Sequence, residues 1–285
     1  MAYTEHKLFK TPYDEIVIWR YIDLPAFIYL LQEKKLFFRR IDKFDDPFEA
    51  ACPKPIRKIY EQHARTLSES IQNLNKESLD ESYKNEREKY REFFYVSAWH
   101  INDFESSAMW KIYSCLTKGI AIKSTVGRLK ESFKNSQQEV NIGKINYLKN
   151  YEDDNIPGLN IDSVTASLED VNVLAVTLIK RKSFEFENEL RAVIFNPPKS
   201  EIMNLNIKNL DDIKKIQEES KEGALLKKET PESLSVPVDL NVLIDSIYVS
   251  PTGERWIFNI IENLVKDYNL DKKVYFSKLG ENPIY

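Results

Sequence analysis

The segment from Phe184 to Arg191 alternates charged residues with apolar or neutral ones. Alternation with a period of two predicts a β-strand, in which successive side chains point to opposite faces of the sheet. Glu185, Glu187 and Glu189 would then point to one face, and the guanidinium of Arg191 would point there as well. Such a face is either a solvated sheet surface or the floor of a site where several acids act close together.

Carboxylates two positions apart on one strand lie roughly 7 Å from each other. Like charges at that separation raise the pKa of one group and leave the other ionised. This division suits a general acid or base beside an anionic stabiliser. In the alternative interpretation, the same charges pair with Arg191 and with lysines on neighbouring strands.

Composition excludes several classes of protein. The chain has 285 residues, of which 42% are hydrophobic and 12% aromatic, enough to fill a core. A net charge of −4 gives no overall basic field that would attract nucleic acid. The glycine-rich nucleotide-binding fingerprints do not occur, and the histidines and cysteines are too scattered to predict a metal site. No apolar run approaches the length of about 18 residues that spans a membrane, so we expect a cytoplasmic protein with no membrane contact.

Apolar, β-branched runs alternate with segments of helical periodicity along the chain. This pattern predicts a mixed α/β protein of the α+β class, folded as one domain over residues 1–285. The predicted strands are 16–22, 36–38, 93–99, 119–124, 140–147, 244–249 and 274–277, besides the glutamate-rich segment. Helices are predicted after caps at Asp23 and Asp103, and over 126–133 and 163–180.

Two charged segments interrupt this pattern. Residues 54–92 are helix-prone, and Ile56, Tyr60, His63 and Leu67 recur on one helical face. We expect a helical arm or insertion there, which is either a solvated helix pair or a contact surface for a protein partner. Residues 198–235 are rich in lysine and glutamate and lack aromatic residues, which predicts a polar surface insertion.

Other side chains suit ligand binding. Arg20 interrupts an apolar strand, and because desolvating a guanidinium costs several kcal/mol, it predicts either an internal salt bridge or a bidentate phosphate site. Ser97 could hold a carboxylate or a ligand hydroxyl, or satisfy the local backbone. Trp110 and Tyr113 could stack on a planar ring or belong to the core.

Four acids lie close together in a turn-rich segment: Asp42, Asp45, Asp46 and Glu49. They suit either Mg²⁺ binding or capping and turn formation, with Asp46 as the cap and Pro47 as the first residue of a short helix. An alternative hypothesis is a metal-dependent nuclease that combines Asp45 and Asp46 with Glu187 and Glu189. The late strand reads Glu-Asn-Glu, however, where a common nuclease motif has Glu-x-Lys.

Seven short blocks, in order across nearly the whole chain, resemble the bacterial domain-of-unknown-function family 2971. They are residues 19–21, 44–49, 97–99, 108–114, 119–123, 180–191 and 249–251. That family name implies no activity. More distantly, an arginine on the first strand, a serine on a middle strand and Glu-x-Glu on a late strand are similar to the Arg–Ser–Glu class of ADP-ribosyltransferases.

The second resemblance implies two small sheets that clasp NAD in a cleft. It implies that Arg20, with Tyr21 beside it, binds the cofactor and contacts its phosphates. Ser97 would position the nicotinamide ribose or the catalytic glutamate, and Trp110 or Tyr113 would stack on nicotinamide. The chain departs from the usual Ser-Thr-Ser triplet of the class, since its strand reads Val-Ser-Ala.

In the same resemblance, Glu189 would bind the ribose 2′-hydroxyl and stabilise the oxocarbenium-like transition state, while Glu187 would activate the acceptor. The two roles can be exchanged. The resemblance thus implies an NAD-consuming enzyme, an ADP-ribosyltransferase with an unknown acceptor macromolecule or an NAD glycohydrolase, which acts as a toxin or an anti-phage effector. A third hypothesis is a non-catalytic interaction module that binds a partner protein through residues 54–92.

Overall fold

The computed structural model describes residues 3–6, 9–70, 76–113, 118–153, 173–197 and 230–281. Within these ranges the strands are β1 (Val17–Asp23), β2 (Lys35–Arg40), β3 (Phe94–Ile101), β4 (Gly119–Thr125), β5 (Asn141–Lys144), β6 (Asn146–Leu148), β7 (Ile179–Arg181), β8 (Glu189–Phe195), β9 (Ser233–Pro237), β10 (Ser246–Val249) and β11 (Lys273–Phe276). The helices are α1 (Leu24–Glu33), α2 (Lys54–Ser70), α3 (Lys76–Tyr90), α4 (Ser107–Tyr113), α5 (Val126–Ser132), α6 (Leu240–Leu243) and α7 (Arg255–Asp267).

Nine of these strands form one mixed sheet, in which β11, β10, β4, β1, β3, β2 and β9 follow one another. Strand β8 pairs with β3, and β5 pairs with β8. A second sheet consists of the parallel strands β6 and β7. The α+β class is therefore confirmed. The described residues form two sheets, but one of them is large, where two small sheets were expected.

Strand β3 is the branch point of the large sheet. One edge of β3 pairs with β8 over seven residues, from Phe94 to His100. The opposite edge is shared: β1 contributes the pairs Ile18–Ile101 and Trp19–His100, and β2 contributes Arg39–Val96 and Arg40–Tyr95. Residues 97–99 of β3 pair with neither strand on that edge, so the sheet forks there.

The two faces of the sheet pack against different residues. Ile18 of β1 and Leu190 of β8 belong to the largest apolar core, which α1 and α7 cover through side chains such as Leu31 and Ile261. The next residue along β1, Trp19, packs on the opposite face with Tyr21, Met109, Trp110 and Ala121. Because successive strand residues point to opposite faces, residues 18, 20 and 22 share one face and residues 19 and 21 share the other.

Helices α2 and α3 lie within the segment that was predicted to be helical, and 71–75 are outside the described residues. Helix α2 is anchored to the body of the protein. Ile56 and Ile59 are buried in a cluster with Leu148, Tyr151 and Ile179, and Tyr60 packs against it. The side chains of His63 and Leu67 lie outside the described residues. No described helix is long and apolar enough to cross a membrane.

The prediction of one strand over the glutamate-rich segment is wrong. Lys182–Glu187 forms a 3₁₀ helix, Asn188 adopts a left-handed conformation with φ of 38°, and β8 begins only at Glu189. Asparagine tolerates this conformation better than most residues, and the Asn188 side chain donates a 2.7 Å hydrogen bond to the Ile101 carbonyl. Glu185 is therefore exposed on the 3₁₀ helix and shares no strand face with Glu189.

Three smaller predictions also differ from the structure. Within the predicted helix 163–180, residues 173–178 form a 3₁₀ helix and the last two belong to β7, while 163–172 lie outside the described residues. The end of the predicted polar insertion forms β9, which pairs with β2, and 198–229 lie outside the described residues. The segment after Asp46 is a turn without a helix, although the Asp46 carboxylate accepts a 3.0 Å hydrogen bond from the Phe48 amide.

Candidate functional site

Five charged side chains meet in the interior, in what we call the Lys180 cluster: Glu49, Lys180, Glu187, Glu189 and Arg191. None is more than 6% exposed. Glu49 comes from the turn before α2 and Lys180 from β7, while the other three come from the end of the 3₁₀ helix and the start of β8. Because an unpaired buried charge is strongly unfavourable, a cluster of this kind must be internally paired.

Lys180 occupies the centre of this cluster. Its ammonium Nζ lies 2.5 Å from Glu187 Oε2, 3.0 Å from Glu189 Oε2 and 3.3 Å from Glu49 Oε1. One cation thus contacts three carboxylates. Burial would lower the pKa of Lys180, but the surrounding carboxylates outweigh burial and raise it, so the side chain stays charged.

Arg191 supplies the second positive charge. Its Nε donates to Glu189 Oε1 at 2.7 Å, one Nη donates to Glu49 Oε1 at 2.9 Å and the other donates to the Thr177 carbonyl at 2.7 Å. The guanidinium carbon lies 5.6 Å from the centre of the Phe44 ring. These contacts hold Glu189 and Glu49 in place from the side opposite Lys180.

The two neighbouring glutamates differ in their affinity for protons. Burial raises the pKa of Glu187, and Lys180 only partly offsets this effect while the charge of Glu189 adds to it. Burial would also raise the pKa of Glu189, but Arg191 and Lys180 outweigh burial and lower that pKa to about 2. An ionised carboxylate beside one that binds protons more readily is the arrangement found where enzymes divide acid–base roles.

Within the Lys180 cluster, Glu187 accepts a hydrogen bond from an exposed side chain, that of Tyr113. The Tyr113 hydroxyl donates a 2.6 Å hydrogen bond to Glu187 Oε1, and the Tyr113 residue is 45% exposed.

The main-chain carbonyl of Glu187 is bonded to Nδ1 of His100. Because a carbonyl only accepts, Nδ1 carries the proton and Nε2 of His100 is the unprotonated nitrogen. Nε2 is buried with no hydrogen-bond partner among the described residues, and burial lowers the pKa of His100.

The three aromatic residues of the predicted cofactor site separate into a buried pair and one exposed ring. Tyr21 and Trp110 pack edge to face with their ring centres 5.1 Å apart, and Trp110 is 1% exposed. The indole Nε1 of Trp110 donates to Glu105 at 3.0 Å, and the Tyr21 hydroxyl accepts from the Ser106 amide at 2.8 Å. Trp110 and Tyr21 therefore belong to the core, and Tyr113 alone of the three has a ring accessible from the surface.

Arg20 and Ser97 lie together, but away from the two glutamates. The Arg20 guanidinium donates to Ser97 Oγ and to the carbonyls of Ala98 and Phe37, at 3.4 and 3.2 Å. It thereby occupies the fork between β1, β2 and β3, where strand pairing is missing. Both side chains point to the face of the large core, whereas Glu189 points to the opposite face. The predicted site residues thus form two groups, on opposite faces of the sheet.

The four acids of the turn-rich segment are also dispersed. Asp42 pairs with Arg40 at 2.7 Å, Asp46 pairs with Arg181 at 2.7 Å, and Asp45 is exposed. Only Glu49 joins the Lys180 cluster. In the part of the chain that the structure describes, no three His, Cys, Asp or Glu side chains are arranged to hold a metal ion, so no observation favours the nuclease hypothesis.

Sequence reasoning missed Glu49 and Lys180 as partners of the glutamates. Lys180 directly follows the apolar residues Leu178 and Ile179, and a charged residue at the end of a buried run was a usable signal. Glu49 carried no such signal, because it lies among other acids in a turn.

No family model, no curated protein and no solved structure matches this chain. The resemblances to family 2971 and to the ADP-ribosyltransferases therefore stay predictions, and the functional argument depends on the geometry of the cluster.

Proposed function

We propose that this protein cleaves the bond between nicotinamide and ribose in NAD, and passes the ADP-ribose to water or to an acceptor macromolecule. The observation that carries the proposal is the pair Glu187 and Glu189, two adjacent buried carboxylates with opposite pKa shifts around one ammonium. The choice of NAD comes from the resemblance to ADP-ribosyltransferases. Since NAD is a metabolite of the cell interior, the proposal includes a cytoplasmic location.

In the proposed reaction, nicotinamide leaves with the electrons of the glycosidic bond and positive charge develops on the ribose. The ionised Glu187 carboxylate stabilises that charge. A water or acceptor hydroxyl then forms a bond to the ribose carbon and gives its proton to Glu187. A raised pKa makes this carboxylate the stronger base of the pair.

The remaining residues act on Glu187 or on the substrate. Glu189 is a positioning residue, because the two cations Arg191 and Lys180 hold its oxygens and lower its pKa, whereas the exposed side chain of Tyr113 reaches Glu187. The exposed ring of Tyr113 would stack on nicotinamide while its hydroxyl orients Glu187. Arg20 and Ser97 take no part in this site, since they lie on the opposite face of the sheet.

Glu187→Gln tests the proposal, with Glu185→Gln as the matched control. Glu185 lies two residues away, is exposed and pairs only with Lys182 on the same turn. We expect Glu187→Gln to lower the rate of nicotinamide release by about 100-fold or more, the usual contribution of a general base. The control variant should retain the wild-type rate within about twofold, because a substitution on the exposed turn leaves the base untouched.

Nicotinamide release from NAD is measured by chromatography, with thermal unfolding of each variant as the check on folding. A folded Glu187→Gln variant with an unchanged rate would refute the assignment of the base. A wild-type protein that releases no nicotinamide, alone or with cell extract as a source of acceptors, would refute the proposed function.

A further inference from the structure

Arg20 lines a groove of about 370 Å³ beside the fork in the large sheet. This volume is within the range of small-molecule sites, which is roughly 300–1,000 Å³. The groove lies between α1, β2 and β9, and Tyr29, Lys35 and Ser235 contribute polar groups to it. Its other walls are apolar and include Leu36 and Phe37.

Arg20 has no carboxylate partner among the described residues. It donates to one hydroxyl and two carbonyls, all of them neutral. These bonds use two hydrogens of one Nη and one hydrogen of the other. A guanidinium carries five N–H donors, so Nε and the second hydrogen of Nη2 have no acceptor in the described part of the chain.

The positive charge of Arg20 is thus half-buried without a compensating negative charge. Burial lowers the pKa of Arg20 to about 10, which is the direction expected for a cation that lacks a counter-ion. Arg191 shows the opposite case, since its carboxylate partners raise its pKa despite complete burial. Of these two interior arginines, only Arg20 is left with charge that a ligand could neutralise.

The polar groups around Arg20 suit the same kind of ligand. The Tyr29 hydroxyl and Ser235 Oγ lie 2.6 Å apart at the groove, so one donates to the other and the pair has one O–H hydrogen left for a ligand oxygen. Lys35 adds a second cation, which is 38% exposed and contacts Glu33 at 3.2 Å. Donors from three different elements therefore surround a pocket whose remaining walls are apolar.

We propose that this groove binds a small anionic molecule, in which a phosphate monoester or carboxylate group pairs with Arg20 and an apolar or ring-shaped body lies against the apolar walls of the groove. This site is separate from the proposed NAD site at Glu187, and neither proposal depends on the other. The shared chemistry is an anionic head on a short apolar body.

Binding is measured by calorimetry with three probes: phenyl phosphate, benzoate and, as the neutral comparison, benzyl alcohol. We expect saturable binding of phenyl phosphate or benzoate, and the tighter of the two identifies the head group. Arg20→Gln should weaken that binding by about tenfold or more, because it removes a charge-assisted bidentate contact. Arg39→Gln, which changes an exposed arginine on the neighbouring strand β2, should leave binding within about twofold.

Ala26→Phe is the second test variant, because Ala26 lines the groove from the exposed side of α1 and accepts none of the hydrogen bonds of Arg20 given above. We expect it to abolish binding by filling the groove while Arg20 stays intact, so it decides the question even if Arg20→Gln fails to fold. The proposal is overturned if neither anion binds saturably, if benzyl alcohol binds as well as the anions, or if Ala26→Phe binds like the wild type.

Discussion

Glu189 is held by two buried cations of the Lys180 cluster, and their charge determines its titration. Arg191 and Lys180 donate to both of its oxygens, and together they lower its pKa to about 2. In an unfolded chain the same carboxyl titrates near pH 4.3. The native state thus binds a proton on Glu189 less readily than the unfolded state does.

The sign of the pH dependence follows from this difference. Glu189 contributes stability that is fully present above about pH 4.3 and is lost as the pH falls toward about 2, an amount of roughly 3 kcal/mol. Glu187 acts in the opposite direction and at higher pH, because its raised pKa removes stability as the pH rises above about 4.3. The change in stability between about pH 4.3 and 2 therefore measures the contribution of Glu189 separately from that of Glu187.

We expect Glu189→Gln to reduce the free energy of unfolding at pH 7 by about 3–5 kcal/mol, because it leaves buried cations with fewer partners. The variant should also lose less stability than the wild type between pH 4.3 and 2. Urea unfolding at a series of pH values measures both effects, with the exposed Glu185→Gln as the control. Parallel pH profiles for Glu189→Gln and the wild type would contradict this account of the cluster.

At the scale of single elements, local sequence predicted strands and one of the two caps at Asp23 and Asp103. The prediction for Asp23 is confirmed, since its carboxylate accepts a 2.9 Å hydrogen bond from the Ala26 amide at the start of α1. The predicted cap at Asp103 is wrong, because α4 begins only at Ser107 and the Met109 amide donates to Ser106 Oγ at 3.4 Å.

The strand prediction for residues 184–188 is wrong because their alternation fits a strand, whereas the backbone conformation depends on the bonds of Asn188 to the distant Ile101. A contact across the fold cannot be derived from local periodicity.

Asp23→Ala should lower the free energy of unfolding by about 1 kcal/mol, because it leaves an amide at the start of α1 without its acceptor. Asp23→Asn is the matched comparison, since asparagine caps helices about as well as aspartate and should retain most of the stability. Both are measured by urea unfolding. Equal stabilities for the alanine and asparagine variants would show that the cap contributes nothing.

At the scale of the whole molecule, helix α2 packs against the rest of the fold through its apolar side chains. Ile59 is 2% exposed and packs in the cluster that contains Ile179, the residue before Lys180 in β7. The helical periodicity of residues 54–92 predicted a face with Ile56 and Tyr60, both of which pack in this cluster, but it did not include Ile59. The α+β class was likewise predictable from composition and periodicity, whereas the fork at β3 depends on strand pairs far apart in sequence.

Ile59→Ala should destabilise the whole protein by about 2–5 kcal/mol, because it opens a cavity between α2 and β7. Gln62→Ala, on the exposed side of the same helix, should change the stability by less than about 0.5 kcal/mol. A single unfolding transition that shifts as a unit is the expected result. If α2 were an independent module, Ile59→Ala would instead leave the main transition unchanged.

The Lys180 cluster also has a kinetic consequence. Its five members come from two parts of the chain that lie far apart, Glu49 on one side and residues 180–191 on the other. A partly folded chain that buried only some of these charges would leave the others unpaired, which is costly in a low-dielectric interior. The cluster therefore closes late in folding, after the apolar strands have collapsed, and its ion pairs slow the opening of the native state more than they speed its formation.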